Sequence, residues 1–296
     1  MLEISKISFP GLGIGEFEVD SVAFSIGKFD IAWYALFITF GMVLAALYIF
    51  YRGKKIGLSI EDCLDFILWA IPIGIVGARL YYVMMKPDSF TSFKEILNLR
   101  GGGLAIYGGI IAGALAVIGV SYFKKINFFA FADVCTPGII LAQSMGRWGN
   151  FMNGEAYGGL TDNFIRMGLQ NRNTLADFDT LSMVYVHPTF LYESLWNLLG
   201  FILVNIFYKH KKYDGQIFLM VFGWYGLGRM LIEGLRTDSL YLFGSSIRVS
   251  QLLAAVIFAV CLGFLVYFAI KKPERPLYFK PVEVKENNSA EKKKKG

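Results

Sequence analysis

The sequence sets charged side chains inside segments that are otherwise apolar, and the types and spacings of these residues suit the binding of an anion. The run Gly146-Arg147-Trp148-Gly149-Asn150-Phe151-Met152-Asn153-Gly154-Glu155 follows an apolar helix that ends Leu141-Ala142-Gln143-Ser144-Met145. Arg147 offers a planar, permanently charged fork matched to phosphate, Asn150 and Asn153 add donors, and the glycines let backbone approach a ligand. The competing reading is an arginine that snorkels at a helix end, followed by a glycine turn. Arg229, Glu233 and Arg236 are spaced by four and seven, which places them on one helical face with Tyr225 one turn earlier. That face is either a site or an ion-paired stripe that locks helices together. In His187-Pro188-Thr189-Phe190-Leu191-Tyr192-Glu193, Pro188 suits a first helical turn and Glu193 enters an apolar stretch. A carboxylate there needs a partner, so a structural Glu193 competes with a catalytic one.

Other patterns exclude chemistry. His187 and His210 are the only histidines, too few ligands for a histidine metal site. Cys63, Cys135 and Cys261 are odd in number and far apart, so neither a zinc site nor a disulfide framework is indicated. The glycine-rich stretch Gly101-Gly102-Gly103-Leu104-Ala105-Ile106-Tyr107-Gly108-Gly109 lacks the Gly-Lys-Ser/Thr of a P-loop, so no nucleotide is implied; with Gly77-Ala78-Arg79 it reads as a place of close helix approach. Tyr34, in Ile31-Ala32-Trp33-Tyr34, is either a belt aromatic or a site hydroxyl, and its position favours the belt.

The elements that must position these residues are membrane helices. The chain has 296 residues, 55% hydrophobic and 18% charged, a mix that a water-soluble domain could not cover with polar surface. Aromatic content of 16% suits interfacial belts. About seven apolar blocks near the 20-residue crossing length run over 31–50, 64–85, 103–123, 128–145, 189–208, 216–233 and 249–270. Asp133 and Pro137 weaken the fourth, and glycines dilute the sixth. The fold expected is therefore all-α and polytopic, a single seven-helix membrane domain over 1–270. Basic residues gather at Arg52, Lys54 and Lys55, at Lys124 and Lys125, at Lys209, Lys211 and Lys212, and beyond the last block. The positive-inside rule then puts the N-terminus outside and the C-terminus in the cytoplasm. The net charge of +6 follows this loop pattern and not a nucleic-acid face. Segment 153–188 is a small outward-facing head or a mobile loop. Residues 271–296 read as a Lys-rich cytoplasmic tail, disordered and held near anionic lipid. The N-terminus shows no removable signal peptide.

The thirteen residues from Gly146 to Gly158 closely resemble the signature of the bacterial prolipoprotein diacylglyceryl transferases. Trp33-Tyr34, Gly77-Ala78-Arg79, the glycine-rich entry, His187-Pro188 with Tyr192-Glu193, and Arg229 with Glu233 and Arg236 join it in the right order, so that the resemblance covers about 30 to 250. It implies a monomeric multi-pass enzyme of the bacterial cytoplasmic membrane, free of metal and cofactor. Such an enzyme moves the diacylglyceryl group of phosphatidylglycerol to the lipobox cysteine of a secreted precursor and releases glycerol phosphate, the first step of lipoprotein maturation. It further implies that Arg147 binds the lipid phosphate, that Arg229 is a second essential arginine, and that Tyr34, Asn150, Glu155 and Tyr225 belong to the site. Asn153 and Tyr107 join the candidate lipid-binding residues, with Glu233, Arg236, His187 and Glu193 in support. Many family members carry histidine where this chain has Tyr107, so a histidine base does not carry over there. Glu155, His187 and Tyr107 are the groups able to help deprotonate a thiol whose ordinary pKa is about 8.5.

The expected division of labour has Arg147 on the phosphate, Arg229 on the leaving glycerol phosphate, and Glu155 with Tyr34 orienting the reacting groups. A rival from another class is a small transporter or channel with an outward-facing anion site. It should spread polar residues through the depth of several helices, whereas these gather towards one end and show no inverted repeat. A lipid-binding scaffold without turnover is a third reading. Release of glycerol phosphate from labelled lipid separates the three.

Overall fold

The computed structural model describes residues 4–87, 90, 92–98, 102–237, 241, 247–272 and 277–280. It is mostly helical. The long helices are α1 (Trp33–Lys55), α2 (Ile60–Met85), α4 (Ile106–Phe123), α5 (Phe128–Met152), α7 (Thr189–Phe207), α8 (Gln216–Glu233) and α9 (Val249–Lys271), with short helices α3 (Phe93–Leu97) and α6 (Arg172–Phe178) between them. Six are long and apolar enough to cross a membrane: α1, α2, α4, α5, α7 with the turn to His210 that extends it, and α9. The expected sixth block does form a helix, α8, but it carries Gln216, Arg229, Glu233 and several glycines and is not among these six. Helix surfaces agree with a lipid surrounding. In α9 only Ala254 and Cys261 are buried, while Leu252, Val256, Val260, Phe264 and Ile270 are exposed, a surface that water would penalise. The chain is a multi-pass membrane protein.

The all-helical expectation needs one correction, because the described residues include six strands. β1 (Ile4–Phe9), β2 (Ile14–Asp20), β5 (Met167–Gln170) and β6 (Val184–Val186) form an antiparallel sheet in the order β2-β1-β5-β6, and β3 (Val22–Ile26) with β4 (Phe29–Ala32) form a hairpin. Segment 153–188 thus contains β5, α6 and β6, and its two strands join the sheet of β1 and β2. Ile7 and Val19 turn inward to pack with Met167, Leu169, Val186, Tyr157 and Phe190.

The chain divides into two compact units, 1–49 with 129–277, and 50–128 with 278–296. In the first, small residues bring α1 and α5 together. A Cβ added to Gly41 would lie 2.9 Å from the Ala142 carbonyl oxygen, one on Gly138 3.1 Å from that of Ala45, and one on Gly149 2.7 Å from the Tyr34 ring. These pairs run antiparallel in steps of seven and four residues and leave no room for side chains. Helices α7 and α8 are clamped by Trp196 and Trp224, stacked at 4.3 Å, each Nε1 donating to the other's carbonyl at 2.9 and 2.8 Å. Gly200 and Gly228 lie under the two rings. Asp133, fully buried on α5, accepts from the N–H groups of Gly215 and Phe218 at 2.8 and 2.7 Å and pairs with Lys211 at 2.9 Å. It therefore caps the N-terminus of α8, and both Asp133 and Pro137 lie within an unbroken α5.

In the second unit, α2 and α4 cross where Gly77 and Gly108 face each other, a Cβ on Gly108 being 2.4 Å from the Gly77 carbonyl oxygen. Arg79 spends all five of its N–H donors on the carbonyls of Glu95, Ile96, Asn98, Gly102 and Gly103, at 2.7 to 3.0 Å. It is a loop-pinning residue with no donor left for a ligand. Gly102 and Gly103 both adopt φ near +80°, values of +79° and +77°, which explains part of the glycine run. At the opposite end of α2, Asp62 completes a capping box with Ser59 and pairs with Lys124 at 3.2 Å and Lys280 at 2.7 Å. The Lys280 N–H also donates to the Ile56 carbonyl at 3.0 Å. The remainder of the expected disordered tail, 273–276 and 281–296, lies outside the described residues.

Candidate active site

The motif from Gly146 is helical for longer than expected. α5 continues to Met152, so Arg147 and Asn150 sit three residues apart on its last turns. Those turns are also held by aromatic packing of Trp148, Phe151 and Phe190, with Phe151 and Phe190 at 4.7 Å, and by Trp148 Nε1 donating to Ser194 Oγ at 3.2 Å. Ser144 and Ser194 exchange further hydrogen bonds across α5 and α7. After Met152 the chain reverses through Gly154 and Ala156, at φ +58° and +56°. Asn171 donates to the Gly154 carbonyl at 2.9 Å, which ties the reversal to the link between β5 and α6. The reversal brings Glu155 back over the helix end, where Asn150 Nδ2 and Asn153 Nδ2 donate to its Oε1 at 2.9 and 3.2 Å.

Glu193 is the centre of the charge cluster. Its side chain is 4% exposed and meets three guanidiniums: Arg147 at 2.5 Å, Arg229 at 3.0 Å and Arg236 at 3.0 Å. Arg229 also pairs with Glu233 at 2.7 Å, one turn on along α8. Glu193 and Glu233 face the three guanidiniums, and Glu155, joined through Asn150, brings the connected group to three carboxylates against three guanidiniums. Exposure divides the arginines. Arg147 and Arg229 keep 21% and 17% of their side-chain surface, while Arg236 keeps 8%. The first two can reach a ligand, and Arg236 positions Glu193. Arg147 Nη1 also contacts Asn150 Oδ1 at 3.4 Å, and the Tyr34 hydroxyl lies within electrostatic reach of Glu155 and Arg147. Tyr34, Arg147, Asn150, Asn153, Glu155, Glu193, Arg229, Glu233 and Arg236 therefore form one connected group within the first unit.

His187 belongs to an adjoining network. Its backbone pairs with Gly158 and Gly159 at 2.9 and 3.1 Å, and Gly158 in turn bridges to Arg236. The Nδ1 atom contacts Asn163 Nδ2 at 3.2 Å and the Tyr192 hydroxyl at 3.3 Å. Burial pushes the His187 pKa below its ordinary value, so the ring is neutral at pH 7. Asn163 was not among the residues singled out from sequence, and nothing in its polar surroundings marks it there. Tyr225 is half-buried one turn before Arg229 on α8, whereas Tyr107, at the start of α4, belongs to the other unit. Among the described residues no three His, Cys, Asp or Glu side chains gather as a metal site. The chemistry that the cluster can perform is anion recognition beside a carboxylate, in a setting of low polarity where each charge acts strongly.

Residues 21–267 match the family model described as prolipoprotein diacylglyceryl transferase. A protein of Enterococcus faecalis named phosphatidylglycerol–prolipoprotein diacylglyceryl transferase is 44% identical over 248 residues, 83% of this chain and 89% of its own length. Proteins of the same name from Listeria welshimeri and Streptococcus pneumoniae are 40% and 43% identical, each over 88% of this chain and over 94% and 97% of their own lengths.

Proposed function

The chain belongs to the prolipoprotein diacylglyceryl transferase family, and from that premise we propose how its residues divide the reaction. It is a transferase that moves the diacylglyceryl group of phosphatidylglycerol onto a prolipoprotein. The acceptor is the thiol of a lipobox cysteine, and the membrane is the bacterial cytoplasmic membrane. A sulfur–carbon bond forms at the glycerol carbon as the bond from that carbon to the phosphate oxygen breaks. The electron pair leaves with glycerol phosphate, whose phosphate gains a negative charge. The convergence of the partly exposed guanidiniums of Arg147 and Arg229 on Glu193 is the observation that supports the reading, because two such groups side by side can stabilise that charge. Arg147 holds the lipid phosphate, Arg229 stabilises the departing phosphate, and Glu155 with Tyr34 orients the reacting groups. Asn150 and Asn153 fix Glu155, while Glu233 and Arg236 hold Arg229 and Glu193 in place. Tyr225 lines the lipid. The thiol proton has two acceptors in the same unit, Glu155 and His187. The protein acts as a monomer, with α8 as a seventh crossing, its N-terminus outside and its C-terminus cytoplasmic.

Nothing in the relatives' shared name favours a transporter. Transfer of labelled phosphatidylglycerol to a lipobox peptide tests the reading. Arg147→Ala should lower the rate about 100-fold or more, the scale of removing a charge-stabilising donor. Near-normal transfer by that variant would overturn the assignment of Arg147.

A further inference from the structure

The hairpin of β3 and β4 has two chemically distinct faces. Its register pairs Phe24 with Ile31 and Ile26 with Phe29, which places these four apolar side chains on one side. Ser25 and Asp30 pair on the other side and are joined by a hydrogen bond of 2.6 Å. A sheet face built in this way normally covers a core. Here Phe24, Ile26 and Phe29 are 49%, 64% and 68% exposed. Lys28 follows Gly27, whose φ of +62° makes the turn.

The hairpin leads into a membrane helix without a linker. β4 ends at Ala32, α1 begins at Trp33, and the Trp33 N–H donates to the Ser21 carbonyl at 2.9 Å, fixing the hairpin's base to the first turn of the helix. An aromatic residue at that position marks the boundary between hydrocarbon and headgroups. Strands of this length extend about 16 Å, whereas the polar zone on each side of a bilayer is only about 5–8 Å deep. An upright hairpin would hold Ile26 and Phe29 in water. Laid flat, it buries the apolar face in acyl chains and leaves Ser25 and Asp30 in water, with Lys28 at the level of anionic headgroups.

We propose that the β3–β4 hairpin is a lipid-immersed float, its Phe24-Ile26-Phe29-Ile31 face seated in the leaflet that α1 enters at Trp33. Its use in the reaction rests on the transferase reading: it sets the depth of Tyr34, and with it the Arg147 cluster, at the level of a phospholipid phosphate. The immersion itself is tested without turnover. Nitroxide labels are placed one at a time through Phe24→Cys, Ile26→Cys, Phe29→Cys, Ser25→Cys and Asp30→Cys in the full chain, reconstituted in phosphatidylglycerol-containing bilayers, with signal from the unsubstituted chain subtracted. Power saturation then compares collision with oxygen, which concentrates in lipid, and with a water-soluble nickel chelate. The ratio of oxygen to nickel collision should be several-fold higher at 24, 26 and 29 than at 25 and 30. Equal ratios would show the hairpin standing in water, and loss of both collisions at 24, 26 and 29 would show protein covering the face. Either result overturns the proposal while leaving the transferase reading intact.

Discussion

Glu193 carries more of the site than its place in an apolar helix suggested. Desolvating a carboxylate costs several kcal/mol, and here three guanidiniums offset that cost at one acceptor. Glu193→Ala would leave Arg147, Arg229 and Arg236 facing each other with only Glu233 between them. It should destabilise the protein by about 3–5 kcal/mol, the penalty for breaking a buried ion pair, and Glu193→Gln should fall between it and the parent. Thermal unfolding in detergent measures this, and an unchanged midpoint for Glu193→Ala would sink the account of Glu193 as the cluster's centre. His187 gives a pH signature of defined sign. Its folded pKa lies below the ordinary value of 6.5 because burial disfavours the cation. As pH falls through 6.5, the unfolded chain takes up a proton that the folded chain does not, so stability declines with decreasing pH. The unfolding midpoint from pH 8 to pH 5 should fall less for His187→Gln than for the parent, and parallel curves would show that His187 does not contribute.

Glycines decide how closely the helices approach, and two neighbours on α5 make the point by contrast. A Cβ on Gly146 meets nothing within 4 Å, while one on Gly149 comes within 2.7 Å of the Tyr34 ring and 3.2 Å of its Cα. Gly146→Ala should be neutral or stabilising by up to about 1 kcal/mol through helix propensity. Gly149→Ala should cost about 1–3 kcal/mol by overpacking and lower transfer by moving Tyr34 from the Glu155 side of the site. Equal stabilities for the two variants would mean that α1 and α5 approach less closely than this packing requires. At this scale the sequence was unevenly readable. The six helices long and apolar enough to cross a membrane were visible in hydropathy and the one-sidedness of Arg229, Glu233 and Arg236 in their spacing, because both signals are local. The strands were not, since β5 is four residues, Met167–Gln170, and is stabilised by partners that include an N-terminal strand. Nor could spacing show that Arg147, Arg229 and Arg236 converge on Glu193, or that Asp133 caps a helix far along the chain, because each depends on a partner supplied by another element. Arg79 shows the reverse error open to sequence reading: an arginine among glycines resembles an anion site, yet its donors are consumed by five carbonyls.

The topology of the whole molecule turns on α8, the long helix outside the six candidate spans. Basic residues stand at the Lys55 end of α1, at Lys124 and Lys125 after α4, at Lys209, Lys211 and Lys212 after α7, and at Lys271 and Lys272 after α9. If all six apolar helices cross and α8 does not, α9 must start on the side where α7 ended, and its terminal lysines emerge opposite the other basic groups. A crossing α8 returns every basic group to one face, as the positive-inside rule requires. Its 18 residues span about 27 Å, close to the hydrocarbon thickness of about 30 Å. Its polar residues need not meet lipid, because Arg229 and Glu233 are paired within the cluster, Asp133 caps its first turn, and the Trp196–Trp224 clamp covers one side. The two ends of α8 should therefore lie on opposite sides of the membrane. Thr237→Cys should react with a membrane-impermeant maleimide in intact bacterial cells, and Lys212→Cys only after permeabilisation, each measured against the unsubstituted chain. Reaction of both from the same side would show that α8 does not cross, and would remove the reason for placing the arginine cluster at the outer leaflet.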